Sequence, residues 1–384
     1  MIMEPKNWNV YLVRDILERV EVPVNVESNK EYVQIGIRSH GKGLFYKEPV
    51  LGKALGNKQV FWIQPNCFIL NVVFAWEQAI TKTTENEIGM IGSHRFPMYR
   101  PKNDLVDIDY LIYYFLTKRG TDILEAASPG GAGRNRTLGQ ERFLKSKITL
   151  PPLSEQQKIA AILSTQDKVI ELKEKLLAQK QQQKKYLMQQ LLTGKRRLPG
   201  FDRKWNYVKA NEIFKSIVDK SHGGKLEVLS STQDKGIVPR SQVDIDIKYN
   251  ENSLSTYKKV CEGDFVISLR SFQGGIEYSN YAGIVSPAYT VLRAIVKIDA
   301  GYYKQFFKSS NYIKRLNVAV YGIRDGKQIS YDDFGQIKIP VPPIEEQREV
   351  AKILSTADHE IDLLQKSIEA EKQKKKALMQ LLLT

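Results

Sequence analysis

Two cysteines in 384 residues, Cys67 and Cys261, are too few for a disulfide framework. They read as free thiols, which suits a reducing compartment. The four histidines, His40, His94, His222 and His359, are scattered without the spacing of a zinc site. No glycine-rich loop ending in Lys-Ser or Lys-Thr is present, which argues against a P-loop nucleotide cradle. Long apolar runs are missing too. The longest, around Phe68 to Trp76, is broken by Asn71 and falls far short of the ~20 residues a membrane helix needs. Met1-Ile2-Met3-Glu4-Pro5 has no basic start followed by an apolar stretch, so no secretory leader is expected. These absences point to a cytoplasmic chain that carries no cofactor or metal of its own and touches no membrane.

What the chain does have is positive charge. Lys and Arg outnumber Asp and Glu by 58 to 43, a formal charge of +15. The excess is uneven: residues 146–204 hold 13 basic against 5 acidic side chains, whereas 338–384 hold 8 of each. Lys and Arg release counterions from phosphates, so DNA or RNA is a natural partner. On charge alone, a merely basic soluble protein is an equal alternative. A hydrophobic content of 42% and an aromatic content of 10% suit globular folding, and the length allows two or three domains.

The chain also repeats itself. Lys147 to Thr193 aligns without a gap on Lys338 to Thr384 at an offset of 191, with 24 of 47 positions identical. The shared landmarks include Pro151-Pro152 with Pro342-Pro343 and Glu155-Gln156 with Glu346-Gln347. Leu187-Met188-Gln189 likewise returns as Leu378-Met379-Gln380. So long a period is not a solenoid, whose units run ~20–50 residues. Each copy reads as one long helix: Pro-Pro blocks helix upstream, Ser154 with Gln157 supplies a capping box in the first copy where the second has the poorer cap Glu345, and neither Gly nor Pro follows for about forty residues. Such a helix would span ~60 Å at 1.5 Å per residue. Leu163, Ile170, Leu177 and Leu191 recur at heptad spacing, as do Leu354, Ile361, Ile368 and Leu382. Lys184 and Lys375 interrupt the seam at the same place in both copies. Antiparallel pairing of the two helices within the chain is the expectation; two separately solvated helices are the alternative. Thr193-Gly194-Lys195-Arg196-Arg197-Leu198-Pro199-Gly200 reads as a helix stop and basic linker.

Between the helices lie strand-rich modules. Short β-branched and aromatic runs such as Tyr32–Ile37, Phe68–Phe74, Asp264–Ser268 and Ala288–Leu292 are separated by Gly, Asn and Asp. Both modules open on a Trp (Trp8-Asn9 and Trp205-Asn206) and both end in helix, over Ile108–Leu124 and Tyr302–Leu316. The fold class is therefore α+β: two mixed α/β modules separated by two long helices that pair as an antiparallel coiled coil in a pseudo-twofold arrangement. The expected boundaries are 1–146 and 198–337 for the modules, and 147–197 and 338–384 for the helical connectors.

This layout resembles the specificity subunit of type I restriction-modification systems over essentially the whole chain. The most family-like stretches are Leu150-Pro151-Pro152-Leu153-Ser154-Glu155-Gln156, its second copy from Val341 to Gln347, and Leu191-Leu192-Thr193-Gly194. In module two, Gly263-Asp264-Phe265-Val266-Ile267-Ser268, Arg270-Ser271-Phe272-Gln273-Gly274-Gly275 and Ser286-Pro287-Ala288-Tyr289 resemble the family's target-recognition domains. The resemblance implies a DNA reader without a catalytic centre, each module binding one half of a bipartite, asymmetric double-stranded target. It implies that the paired helices hold the modules apart and dock two methyltransferase subunits, which carry S-adenosylmethionine and methylate adenine N6. A restriction subunit using ATP and Mg can join the complex. Module one departs from the pattern, because it has no obvious counterpart of Arg270 to Gly275.

Base edges are read by Arg, Lys, Asn and Gln, while phosphate contacts set position. In module one the candidates are Arg134, Asn135 and Arg136, in a loop where three glycines allow close approach to DNA. The corresponding loop of module two supplies Arg324 and Lys327, and Arg136 and Lys327 again differ by 191. Arg270, Ser271 and Gln273 form a third group beside Gly274-Gly275. For each, a solvated loop is the competing explanation. Intrinsic methylation or cleavage would need motifs that are not present: Pro151-Pro152 is followed by Leu153 rather than an aromatic residue, and Pro342-Pro343 by Ile344. A protein-binding coiled-coil adaptor explains the helices but gives two unlike basic modules no purpose.

Overall fold

The computed structural model describes residues 8–130, 136–243, 251–269, 271–319 and 329–383. The chain forms two units, Met1–Lys173 with Ser367–Thr384, and Glu174–Lys366. Both divisions fall inside the long helices.

Module one is tied shut at its base. Its entry strand, Asn9–Leu12, pairs antiparallel with Lys147–Leu150, the strand that leads into the first Pro-Pro. Between them an antiparallel sheet runs in the order Leu17–Val20, Met98–Pro101, Phe68–Leu70, Ile80–Lys82. Phe68–Leu70 is buried throughout, which is why it reads as an unbroken apolar run. The run stops being strand at Asn71, whose side-chain oxygen accepts from the Val73 N–H (3.1 Å) and turns the chain.

Module two repeats this plan. Asn206–Lys209 pairs with Lys338–Val341, and its sheet runs Phe214–Ile217, Thr290–Ala294, Phe265–Ile267, Glu277–Tyr278. Strand order and direction match those of module one. The helical end of each module is two helices rather than one: Ile108–Phe115 with Lys118–Ala126, and Ala300–Phe307 with Ser310–Ala319. Asp107 and Asp299 cap the first of each pair through the N–H of Tyr110 and Tyr302. The break comes where Thr117 and Ser309 supply a second cap, to Gly120 and Tyr312.

The connectors are helices of 39 residues each, Leu153–Leu191 and Ile344–Leu382. The first starts one residue ahead of Ser154, with the Pro152 carbonyl accepting from the N–H groups of Glu155 and Gln156. Past its end, Gly194 adopts φ +69°, the left-handed geometry of a helix stop.

Antiparallel pairing is visible within each unit. In the first, Asp167 pairs with Lys375 (2.6 Å) and Lys173 with Glu371 (2.7 Å); in the second, Lys180 pairs with Glu360 (2.7 Å) and Lys184 with Asp358. The lysines that interrupt the heptads are thus ion-pair donors to the facing helix. The two Lys–Asp pairs are one pair repeated, since Lys184 and Lys375, like Asp167 and Asp358, differ by 191 and are identical in both copies. Leu163, Ile170, Leu354 and Ile368 of the heptad series are buried.

Each module's core is finished by both helices. Module one packs on Ile159, Ala160 and Leu163 from the start of one helix and on Leu378, Met379 and Leu382 from the end of the other. Module two packs on Val350 and Leu354 from the start of one, and on Leu187, Met188 and Leu191 from the end of the other. The repeated Leu-Met therefore has a defined job: it fills a module's core at the helix end.

Candidate nucleic-acid interface

The repeated glutamines fix where a long helix begins relative to its module. Gln156 is 0% exposed; its amide donates to the carbonyls of Leu105 and Pro151, and its oxygen accepts from the N–H of Asp107. Gln347 is 1% exposed, donates to the Pro342 carbonyl and accepts from the N–H of Asp299. In both units the same amide ties the Pro-Pro turn to the residue that caps the module's helix pair. A second tie lies further along. Tyr113 donates to Asp167 (2.8 Å) in unit one, and Gln305 donates to Asp358 (2.6 Å) in unit two. Each aspartate of the helix seam is therefore also gripped by a module helix.

Unit two adds a lock that follows from Glu346. This carboxylate is 1% exposed and accepts two parallel hydrogen bonds from Arg197 (2.7 Å each) and one from the Trp205 indole N–H (2.8 Å). Arg197 also lies over the Trp205 ring at 5.2 Å. Paired hydrogen bonds donated to the carboxylate raise the Arg197 pKa further above its ordinary value. Part of the basic linker is therefore architecture, and Arg197 is committed to holding the start of module two against the second long helix.

Of the residues singled out by sequence, Arg134, Asn135, Arg270, Arg324 and Lys327 lie outside the described residues. Arg136, Ser271 and Gln273 lie within. The Arg136 guanidinium sits 5.4 Å from the centroid of the Trp76 ring, and the backbone just beyond is fastened by the Leu138 N–H to the Val72 carbonyl (2.8 Å). Val73 and Phe74, next in sequence to Val72, line a groove of about 510 Å³ together with Gln34, Lys47, Asn71, His94 and Arg95. The groove gathers four basic side chains, Lys47, Lys58, His94 and Arg95. Sequence reasoning passes over this groove, although Ser93-His94-Arg95 is a polar, basic tip between the strands Ile91–Ser93 and Met98–Pro101. Amide and imidazole groups are of the kind that hydrogen-bond base edges, and lysines of the kind that contact phosphates.

In module two, Ser271 is buried, and its hydroxyl accepts from the Ser268 N–H (2.9 Å) as it opens the single turn Ser271–Gly274. Gly275 closes that turn at φ +85°, where a Cβ would fall 2.1 Å from the Phe307 carbonyl oxygen. Gln273 is exposed on the turn. Asp264 of Gly263-Asp264-Phe265 is buried, with a two-pronged pairing to Arg293 (2.8 and 2.7 Å) and a bond from the Cys261 N–H (2.8 Å). Much of what looks like a motif in this module is therefore backbone architecture, with Gln273 presented at its surface. Among the described residues, no three His, Cys, Asp or Glu side chains gather as a metal site, and no helix is long and apolar enough to cross a membrane.

Two modules of one topology with unlike polar surfaces, joined by a duplicated helix, define a two-headed binding protein. Its relatives give the class a name. The family of the type I restriction modification DNA specificity domain matches residues 5–181 and 202–372, and the chain belongs to that family. The MjaVIII specificity subunit of a type I restriction enzyme from Methanocaldococcus jannaschii is 25% identical over 99% of this chain and 93% of its own length. The crystal structure of the HsdS subunit from Thermoanaerobacter tengcongensis aligns over 99% of this chain and 97% of that one, with a TM-score of 0.55 at 21% identity. The S subunit of the type I system of M. genitalium aligns over 100% and 97%, with a TM-score of 0.58 at 14% identity. The likeness in fold spans the whole chain, both modules and both helices.

Proposed function

We propose that this chain is the non-catalytic specificity subunit of a type I restriction-modification complex, in which each module reads one half of a bipartite, asymmetric DNA target. The observation that carries this reading is a contrast between frame and surface. The two modules share sheet order, base strands, helix caps and glutamine ties. They differ in the polar groups each offers, the Arg136–Trp76 stack and basic groove in one and the Gln273 turn in the other. Like frames with unlike surfaces suit two different half-sites.

The long helices supply the docking surface for two methyltransferase subunits, which hold S-adenosylmethionine and perform the chemistry. Leu172 and Leu363 support this part of the reading. They differ by 191, are identical in the two copies, and are 53% and 52% exposed on the helices. An apolar side chain left outside at the same place in both repeats suits two copies of one partner. A restriction subunit, where present, brings ATP and Mg to the same assembly. The test is protection of DNA by the complex of this chain with its methyltransferase subunits: two separated, unlike half-sites support the reader, and none at any salt supports an adaptor that binds only proteins.

A further inference from the structure

Unit two holds a groove in which the end of the repeated helix meets lysines that module one does not carry. It encloses about 810 Å³ between the end of the first long helix and the helix Ser310–Ala319. Five lysines line it, Lys184, Lys185, Lys195, Lys308 and Lys314, against a single carboxylate, Asp358. Two of the five are engaged in the fold: Lys184 on Asp358, and Lys308 on Glu277 and the Gln233 carbonyl. Lys185, Lys195 and Lys314 are exposed and form no ion pair among the described residues. Three unneutralised ammonium groups around one concave surface repel one another, and a polyanion laid in the groove relieves that repulsion while releasing its counterions.

Lys184 and Lys185 recur in unit one as Lys375 and Lys376, but the comparison shows that folding does not require the charge on the module helix. The caps Asp107 and Asp299 set the two helix pairs in register at an offset of 192, which places Leu116 opposite Lys308 and Asp122 opposite Lys314. Asp122 forms a local pair with Lys118 (2.6 Å). The same helix thus folds with an acidic residue where module two presents a free lysine. The groove is also built from lysine alone, without arginine. Lysine binds phosphate as a point charge, whereas the planar arginine fork suits bidentate recognition.

We propose that this groove is a phosphate-backbone site, holding one strand of double-stranded DNA without reading its sequence and on the module-two side only. The proposal rests on the DNA-reader function and adds to it a one-sided electrostatic grip at the junction of helix and module.

The test is the salt dependence of DNA binding by the full chain. Wild type is compared with Lys185→Gln/Lys195→Gln/Lys314→Gln and with the single Lys314→Asp, which installs the residue module one carries at that position. A fluorescent 30-base-pair duplex of mixed sequence is the probe, alongside a duplex containing the target. Removing three lysine–phosphate pairings lowers the slope of log K against log salt by about 2.7, at ~0.9 per phosphate. Affinity for both duplexes falls by the same factor, and their ratio holds. An unchanged slope in the triple variant overturns the proposal, as does wild type binding neither duplex at low salt. An unchanged slope combined with lost assembly on the methyltransferase subunits overturns it in favour of an acidic protein segment in the groove. A lowered slope with no preference between duplexes keeps the groove and rejects the sequence reader, so the two failures are separable. Thermal melts matching wild type confirm that these exposed substitutions leave the fold intact.

Discussion

Removing Glu346 should loosen module two from its helix more than any other single change at that junction. The carboxylate is 1% exposed and accepts three hydrogen bonds, two from Arg197 and one from the Trp205 indole. Glu346→Ala leaves a guanidinium and an indole N–H facing a site with no acceptor. Breaking a buried pair by deleting one partner costs about 3–5 kcal/mol. The Arg197 side chain is 26% exposed, so water can rescue part of it, and the lower end of about 3 kcal/mol applies. Arg197→Ala should cost a similar amount, because it strands the carboxylate with the indole as its one remaining donor. The double change Glu346→Leu/Arg197→Met removes both charges and retains bulk, so the stranded Trp205 indole N–H is its main remaining cost, about 1–3 kcal/mol. The two single costs sum to about 6 kcal/mol, so the coupling between the two positions is about 3–5 kcal/mol. For a unit of this size, about 3 kcal/mol lowers the melting temperature by roughly 6–12 °C. Thermal melts combined with hydrogen exchange on the strand Asn206–Lys209, which follows Trp205, measure the effect and locate it. A drop under about 2 °C for Glu346→Ala, with unchanged exchange in that strand, would refute the reasoning. So would a double variant as damaged as the sum of the singles.

The remaining predictions concern the seam, the ties and the module surfaces. Lys184→Asp should weaken helix pairing in unit two, and adding Asp358→Lys should restore most of the stability in a double-mutant cycle, with a coupling of about 1 kcal/mol for this partly exposed pair. Gln347→Leu should cost about 2–4 kcal/mol, because it leaves the Asp299 N–H and the Pro342 carbonyl without their buried partner, and it should raise exchange at the start of Ala300–Phe307. Arg95→Ala and Arg136→Ala should impair one half-site and leave the other intact, at ~1–3 kcal/mol for each hydrogen-bonded base that the variant no longer reaches; equal weakening on all DNA would reduce both arginines to phosphate binders. Burial holds the Glu277 carboxyl above its ordinary range, an effect that Lys308 only partly opposes. The neutral form is thus favoured by folding, so this contribution to stability is full below the unfolded value of about 4.3 and is lost as pH rises through the raised folded value. The melting-temperature advantage of Glu277→Gln over wild type should accordingly grow between about pH 4 and pH 7.

The frame of this protein is legible in its sequence because it is written twice. Pro-Pro, Glu-Gln and the heptad leucines each announce a helix start or seam, and the offset of 191 sets the register. One-dimensional reading leaves the pairings across the seam unexplained. Lys184 and Lys375 look like flaws in a heptad until Asp358 and Asp167 face them. Glu155 and Glu346 look equivalent, yet Glu346 is buried on Arg197 and Trp205 while Glu155 is exposed. The helix pairs read as single helices in the sequence because Thr117 and Ser309 announce a new cap only once the backbone turns there. In the candidate interface, Arg136 stands out through its glycine-rich loop. His94 and Arg95 do not, because their significance comes from Lys47 and Gln34, far away in sequence and adjacent in the groove. Ser271 is conspicuous as a polar residue beside glycines, but its hydroxyl is occupied by the Ser268 N–H.

The central claim is that one chain reads two different half-sites through two like-folded modules. Methylation of a random DNA library by the complex of this chain with its methyltransferase subunits, followed by sequencing of the modified adenines, tests it directly. The account predicts two unlike short sequences at a fixed separation, and exchange of module two for that of another family member should change one sequence and leave the other. A single contiguous or palindromic site, or methylation independent of sequence, would contradict it.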